Sequence, residues 1–240
     1  LSALQHRGSE AFGFKTLNTE KKSKDLKNLK IPKTNVLLGH SLLSITSYSE
    51  QPITHDAVSI SHNGQIFNYK DFANSKNDST VIADFFSKEL KKSSFPSVLK
   101  KFMEKADGEY AIGILYNKKL FAFRDFLGLK PLWFGQNDNV FAFASEPNAL
   151  MKIDIQFPQP LLPGHYIELN EKGFSQKKIF DVNDFKKTVP KNSSIKKLKI
   201  EFDKTIELET QGLEKTAVLF SGGIDSALIA KAVSLKVHNT

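Results

Sequence analysis

The sequence predicts an α+β first domain followed by the start of a doubly wound α/β domain. Three observations support this prediction. Short strand patterns with antiparallel spacing fill most of the first 180 residues, and two amphipathic helix patterns interrupt them. A polar, basic stretch containing Pro190 follows at 185–194 and is typical of a linker. A strand–glycine–helix pattern then closes the chain. Strand groups separated by helices favour sheets that are covered by helices.

The strand predictions rest on short apolar runs bounded by turn residues. The Asn63-Gly64 pair lies between two such runs and predicts a tight hairpin turn. The runs that follow residue 108 are spaced as antiparallel hairpins, and Pro163-Gly164 opens a further strand. The predicted strands are 36–45, 57–62, 65–67, 109–116, 119–125, 132–135, 140–144 and a strand ending at 169.

The first helix prediction begins at Asp78-Ser79, where Asp78 has the chemistry of an N-cap. Apolar residues then recur on one helical face at 81, 82, 85, 86 and 90, and a second helix carries 98, 99, 102 and 103. After the linker, Ile195, Leu198, Phe202 and Ile206 predict a third amphipathic helix.

Composition excludes several functional classes. The net charge of +8 comes largely from lysines in 21–33 and 186–199, which are not interleaved with aromatic residues; a solvated surface explains them better than a nucleic-acid partner. No apolar run reaches eighteen residues, so we expect no membrane span. The chain has no Cys, which fits a cytoplasmic protein, and its six His lack metal-ligand spacing, so no metal site is predicted. A start at Leu1 and an end within an element suggest part of a longer chain.

The stretch TAVLFSGGIDSALIA, residues 216–230, carries the clearest chemistry. We expect a buried strand over 216–220, a glycine turn, and a helix from Ile224. Such a corner directs backbone N–H groups and the positive end of a helix dipole at one point, where an anionic phosphate fits. An ordinary β-turn-α connection is the alternative.

The run SGGIDS resembles the pyrophosphate-binding loop of the N-type ATP pyrophosphatases. It lacks the spacing of the P-loop of kinases and GTPases. The resemblance implies ATP as the ligand, with Mg²⁺ accompanying it. It assigns ATP binding to Phe220, Ser221, Gly222, Gly223, Asp225 and Ser226.

A series of motifs runs through the first 150 residues: QHRG (5–8), GH (39–40), QP (51–52), HNGQIFN (62–68), Asp78, DGEYAIGILY (107–116), FRDFLGLKPLWFG (123–135) and FASEPNAL (143–150). In its order and wording this series resembles the class II glutamine amidotransferase domain. That resemblance implies an αββα sandwich of the N-terminal-nucleophile hydrolase type over 1–184, a linker at 185–194, and the start of an ATP pyrophosphatase domain at 195–240. Together with SGGIDS, the series resembles glutamine-hydrolysing asparagine synthetase, although some of its motifs also resemble those of the amidophosphoribosyltransferases.

The resemblance also implies the roles of individual residues. Asn63 and Gly64 match the oxyanion hole that receives the negative oxygen of a glutamine amide under attack. Arg7 and Gln65 belong to the expected glutamine site, and Asp78 matches the carboxylate that holds the glutamine α-ammonium group. The alternatives are a plain Asn-Gly hairpin turn, a surface Arg7 and an N-cap role for Asp78. Ser145-Glu146 and Arg124-Asp125 are interpreted as structural.

Two departures from the family pattern keep alternatives open. The family's nucleophilic Cys is not in this sequence, and Leu42 stands where the family often has an Arg that binds the glutamine α-carboxylate. The carboxylate must then be met by the backbone of 43–46 or by another cation. Gln65 stands in place of a Glu.

The resemblance implies ATP-dependent conversion of aspartate to asparagine through β-aspartyl-AMP, with ammonia from glutamine hydrolysis. The alternatives are an ammonia-dependent or non-catalytic homologue, or an amidating synthetase for another carboxylate. The expected partners are glutamine, aspartate and ATP, with a homodimer as one assembly to test.

Overall fold

The computed structural model describes residues 1–45, 47–75, 77–170, 173–181, 194–211, 213 and 215–236. The chain divides into two compact units, Leu1–Val182 and Asn183–Thr240. Of the predicted linker at 185–194, only Ser194 lies within the described residues. No helix in the described part of the chain is both long and apolar enough to cross a bilayer.

The first unit is built from strands and three α-helices. Its helices are α1 (Asp78–Glu89), α2 (Phe95–Lys105) and α3 (Pro147–Met151). Its described strands are β1 (Ala11–Lys15), β2 (Glu20–Ser23), β3 (Leu38–Leu42), β4 (Ile53–His55), β5 (Val58–Ile66), β6 (Gly108–Tyr116), β7 (Lys119–Arg124), β8 (Trp133–Gln136), β9 (Phe141–Ala144), β10 (Gln159–Pro160), β11 (His165–Asn170) and β12 (Gly173–Lys178).

These strands form one large antiparallel sheet and two small ones. The large sheet has six strands in the order β12-β11-β7-β6-β5-β4, and the small sheets have the orders β2-β1-β3 and β10-β8-β9. The predicted hairpins after residue 108 are confirmed, since β6 pairs with β7 and β8 pairs with β9.

Helices α1 and α2 cover one face of the large sheet. Along β6 and β7, alternate residues such as Ile112 and Phe123 point into this layer, because successive side chains of a strand face opposite ways. Phe86 and Phe102 meet them from the helices, with ring centroids 5.7 Å and 6.1 Å from that of Phe123. Burial of these large apolar side chains is the main stabilising term of the unit.

The opposite face of the large sheet packs against the small sheets. A Cβ atom on Gly113 of β6 would lie 2.9 Å from side-chain atoms of both Leu38 in β3 and Phe143 in β9. The layers therefore come so close at this point that a side chain at 113 would displace those of Leu38 and Phe143. Helix α3 and a 3-10 helix, Ser2–Arg7, cover the small sheets from outside. The order helix, sheet, sheet, helix confirms the predicted αββα sandwich.

The predicted hairpin turn at Asn63-Gly64 is wrong. β5 runs unbroken from Val58 to Ile66, and Asn63 and Gly64 lie opposite Ala111 and Tyr110 of β6. The pairing with β6 along the whole strand outweighs the local turn preference of an Asn-Gly pair, because each paired residue satisfies its backbone groups in the sheet.

The predicted N-cap is also displaced by one residue. Asn77 caps α1, since its side chain accepts a hydrogen bond from the backbone N–H of Thr80 at 2.8 Å. Asp78 is the first residue of the helix, and its carboxylate is bound elsewhere. This frees Asp78 from the capping role that competed with a ligand-binding one.

The second unit holds α4 (Ile195–Thr210) and α5 (Ile224–Lys236). The two predicted helices are confirmed, but the predicted strand over 216–220 is not formed. A strand requires a neighbour to pair with, and the described residues of this unit contain no other strand. On the predicted apolar face of α4, Ile206 is buried, whereas Ile195 and Leu198 are exposed.

Candidate functional site

A cavity of about 300 Å³ lies in the first unit, between β3, β5 and the beginning of α1. It brings together residues that are far apart in the sequence. All of the residues predicted for glutamine binding line it: Arg7, Asn63, Gly64, Gln65 and Asp78. Leu42 lines it as well.

Asn63 presents a hydrogen-bond donor to this cavity. Its Nδ2 atom is buried and has no hydrogen-bond partner among the described residues. A buried polar group without a partner costs about 1–3 kcal/mol. A ligand oxygen at this position would recover that cost, so the atom is suited to receive a carbonyl or an oxyanion.

Gly64, next to Asn63, has a backbone conformation that would be strained in any other residue. Its φ is +132°, and a Cβ atom here would lie 2.0 Å from the carbonyl oxygen of Glu109. Glycine is therefore required for this strand to pair with β6 and still reach the cavity with its backbone.

Asp78, in the lining of the same cavity, is fixed as an acceptor. Its Oδ2 accepts a hydrogen bond from the backbone N–H of Ile66 at 2.9 Å, and Oδ1 accepts one from Ser79 N at 2.7 Å. The side chain is 13% exposed. A carboxylate held in this way is ready to bind a cationic group of a ligand.

Two histidines lie behind these groups and are neutral at physiological pH. Burial lowers the pKa of His40 to about 4, and repulsion from His62 adds to the effect. Burial also lowers the pKa of His62, against the attraction of Asp78. His62 Nδ1 lies 2.9 Å from Ser79 Oγ, but Nε2 has no partner in the described structure.

Arg7 reaches the cavity while paired with Glu146. Its Nη1 donates to Glu146 Oε1 at 3.0 Å, and the ring of His6 contacts the same carboxylate. The hydrogen bond from Arg7 is the main cause of a lowered pKa at Glu146. This contact ties the 3-10 helix to the beginning of α3.

A second cavity of about 320 Å³ adjoins the first and shares Gly39, His40, Asn63 and Ser145 with it. Its remaining lining is mostly apolar and includes Leu38, Leu132 and Phe143. Asn63 thus lies at the boundary between a polar and an apolar space.

The glycine loop of the second unit is open. A Cβ atom on Gly222, whose φ is +81°, would meet no atom within 4 Å, and the loop immediately precedes α5. Ser221 Oγ and Ser226 Oγ lie 3.2 Å apart, and Ser226 Oγ also donates to the Gly223 carbonyl. Phe220, Ser221, Gly222, Gly223 and Asp225 are exposed, and Ser226 is half-buried.

This loop fits a phosphate group. Glycines and hydroxyl donors surround a helix N-terminus that carries partial positive charge. Asp225 is the acidic residue of the first helical turn and could contribute to holding Mg²⁺ with ATP. Within the ranges described, no three His, Cys, Asp or Glu side chains cluster as a metal site.

Several residues of the first cavity were not singled out from the sequence. They include Gln51, whose amide holds the backbone of His62 through bonds of 2.6 Å and 3.2 Å, as well as Ser79 and Lys130. Gln51 and Lys130 belong to motifs already noted, the QP pair and FRDFLGLKPLWFG, which is the signal that could have indicated them. Asp125 is buried and accepts hydrogen bonds from three backbone N–H groups, in keeping with its expected structural role.

Comparison with known proteins gives a family and a group of relatives. The family described as glutamine amidotransferase domain matches residues 1–163. An amidophosphoribosyltransferase of Methanocaldococcus jannaschii is 29% identical over 71% of this chain and 43% of its own length. A putative asparagine synthetase (glutamine-hydrolyzing) 1 of the same organism is 28% identical over 98% of this chain and 48% of its own length. The chain therefore spans less than half the length of these relatives.

Among solved structures, the glutamine phosphoribosylpyrophosphate amidotransferase of B. subtilis has the same fold. Its TM-score is 0.63 with 22% identity, over 75% of this chain and 45% of that protein. This similarity supports the N-terminal-nucleophile type of sandwich for the first unit.

Proposed function

This chain belongs to the glutamine amidotransferase domain family, and from that premise we propose that its first unit binds glutamine as an amide donor. We propose further that the whole protein uses the released ammonia to convert aspartate to asparagine through β-aspartyl-AMP, at the expense of ATP. The second unit contributes the phosphate-binding loop of that reaction.

One observation carries the glutamine half of the proposal: the buried Nδ2 atom of Asn63, a residue of the cavity lining, has no hydrogen-bond partner in the described part of the chain. In the proposed reaction, Asn63 Nδ2 and the backbone N–H of Gly64 stabilise the oxygen of the glutamine side-chain amide as negative charge develops on it. Asp78, which lines the same cavity, holds the substrate α-ammonium group. The nucleophile is not among these 240 residues, which contain no Cys.

The extent of the similarity supports the acceptor half. The match to the putative asparagine synthetase of Methanocaldococcus jannaschii covers 98% of this chain and so includes the second unit, whereas the match to the amidophosphoribosyltransferase covers 71%. ATP would bind with its phosphates at residues 220–226, where the N-terminus of α5 and the hydroxyls of Ser221 and Ser226 offset the charge of the leaving pyrophosphate.

The test uses the full-length protein. We expect glutamate release from glutamine, together with AMP and pyrophosphate formation that depends on aspartate. Asn63→Ala should lower glutaminase kcat by about 10²–10³-fold, the usual cost of one oxyanion donor. The same variant should retain ammonia-dependent asparagine formation, which serves as its internal control. Pyrophosphate formation that is indifferent to aspartate would contradict the acceptor assignment.

A second candidate is an ammonia-dependent enzyme with an inactive glutaminase unit, and Leu42 is the observation that favours it. Leu42 is buried and apolar, so it gives the α-carboxylate of glutamine no cation. Asparagine formation from ammonium but not from glutamine would establish this candidate.

A further inference from the structure

The cavity of the first unit needs a cation that Leu42, at the position where the family often has an Arg, does not supply. Glutamine is a zwitterion, and Asp78 accounts for its ammonium group in the proposed function. Its α-carboxylate needs a positive group or several N–H donors, since a desolvated carboxylate without a partner is costly. Leu42 cannot meet it. His40 and His62 are neutral because burial lowers the pKa of each.

Two basic side chains remain among the described residues that line the cavity, Arg7 and Lys130. Arg7 is engaged with Glu146, which is also in contact with His6 on the same 3-10 helix. Its guanidinium is therefore already directed towards the beginning of α3. The backbone of Lys130 is instead held by Asp125, and its ammonium group contacts Glu109.

A buried carboxylate sets the backbone position of Lys130. Asp125 Oδ2 accepts hydrogen bonds from Lys130 N at 3.0 Å and from Tyr110 N at 3.3 Å, and Tyr110 lies opposite Gly64 in the β5–β6 pair. Lys130 is thus fixed one strand away from the proposed oxyanion hole. The ammonium of Lys130 and the carboxylate of Asp78 both act electrostatically on His62, so the two opposite charges lie around one imidazole.

The ammonium group of Lys130 keeps capacity for a ligand. Nζ donates to Glu109 Oε1 at 2.6 Å, and the side chain is 24% exposed. A lysine ammonium has three donors, so a partly exposed one that is engaged in a single ion pair can bind a second anion. Glu109 lies opposite Gln65 at the same end of the strand pair and is itself 37% exposed.

We propose that Lys130 binds the α-carboxylate of the glutamine substrate in place of the arginine that Leu42 replaces. The inference rests on the proposed function, because it takes glutamine as the occupant of the cavity. Glu109 then competes with the substrate carboxylate for the same ammonium group. Asp78 and Lys130 together select glutamine over an amide that lacks either the α-ammonium or the α-carboxylate group.

The experiment measures binding of three probes to the full-length protein by calorimetry: L-glutamine, 4-aminobutanamide, which lacks the α-carboxylate, and glutaramic acid, which lacks the α-amino group. We expect Lys130→Met to weaken glutamine and glutaramic acid by about tenfold, equivalent to 1.4 kcal/mol, and to leave 4-aminobutanamide unchanged. Asp78→Asn should weaken the binding of glutamine and 4-aminobutanamide and leave that of glutaramic acid unchanged. Glu109→Gln should tighten glutamine, by about twofold or more, because it removes the competing anion.

Controls separate binding from folding. Lys119→Met removes a lysine of β7 from an ion pair with Glu168 and should change none of the three affinities. Lys130→Arg should restore most of the affinity for glutamine, which a purely structural defect would not predict. If a folded Lys130→Met variant binds glutamine as tightly as the wild type does, the role of Lys130 is overturned, but the proposed function is not. A wild-type protein that neither binds nor hydrolyses glutamine would overturn the proposed function, and the role of Lys130 with it.

Discussion

The two units of this chain differ in how much of their structure they complete by themselves. The first unit buries its aromatic residues between α1, α2 and the large sheet, and Phe86 and Phe123 are inaccessible to solvent. The second unit leaves most of its apolar residues exposed: Leu219 is 99% exposed, while Ile206 is buried. A glycine loop can therefore form from local sequence alone, whereas a strand and a core need neighbouring elements to pair and pack with.

The same contrast holds for the two predicted ligand sites. The residues of the cavity come from segments between Leu1 and Ser145 and meet only through tertiary packing. The residues of the phosphate loop are contiguous, from Phe220 to Ser226. Substitutions in the first unit should therefore change the stability of the whole unit, whereas substitutions in the phosphate loop should change only the loop.

The largest contrast is expected between matched core and surface truncations. Phe86→Ala should destabilise the first unit by about 3–5 kcal/mol, because it opens a void among aromatic rings. Leu228→Ala, at a residue of α5 that is 59% exposed, should change stability by no more than about 0.5 kcal/mol. Urea unfolding followed by the fluorescence of Trp133, the single tryptophan, reports on the first unit, and far-ultraviolet circular dichroism of the same samples follows the helices of the second. Equal effects of the two substitutions would remove the contrast between the units.

A pair of glycine substitutions tests the same contrast in the backbone. Gly64→Ala should cost about 3 kcal/mol or more, since the added Cβ meets the Glu109 carbonyl and the φ of +132° is strained for alanine. Gly222→Ala should cost about 1–2 kcal/mol, because its φ of +81° is strained but the surrounding space is open. Trp133 fluorescence should detect the first substitution and not the second. Circular dichroism of both variants checks that the second unit keeps its helices.

The pH dependence of stability should also separate the units. The pKa of His40 is about 4 in the folded state and near 6.5 when unfolded, so the unfolded chain binds more protons between these values. Stability of the first unit should therefore fall as pH decreases from about 6.5 to about 4. We expect a loss of up to about 2 kcal/mol, less than the full pKa difference would give, because His40 borders two cavities where solvent reduces the effect of burial. Burial lowers the pKa of His62 as well, which acts in the same direction. His40→Gln should flatten the profile, and an unchanged slope would contradict this account.

The smallest loss of stability within the first unit is expected from removing the cap at the start of α1. Asn77→Ala removes the side-chain acceptor for Thr80 N and should cost about 1 kcal/mol in stability without changing glutamine affinity. Asp78→Asn should instead reduce glutamine affinity while keeping the helix cap. Calorimetry and urea unfolding of both variants distinguish the capping residue from the ligand-binding one. A loss of glutamine binding in Asn77→Ala would show that the two roles are not separate.

Much of the fold followed from patterns in the sequence. The apolar positions of α1 and α2, the hairpins after residue 108 and the helix of α5 were predicted because their periodicity and turn residues act locally. The turn at Asn63-Gly64 and the cap at Asp78 were predicted wrongly. Their local preferences were outweighed by pairing with β6 and by the capping bond of Asn77. The strand over 216–220 failed for lack of a pairing partner among the described residues.

Motifs and periodicity were enough to assign the family, the αββα layering and the residues with ligand chemistry, because both are properties of short segments. The meeting of Arg7, Asn63, Gly64, Gln65 and Asp78 in one cavity appears only in the tertiary structure. The same packing leaves the Nδ2 atom of Asn63 without a partner among the described residues, and it brings Lys130 into the lining of a cavity to which Leu42 gives no cation. These facts depend on contacts between distant segments, and burial and electrostatic environment exist only once those segments have packed.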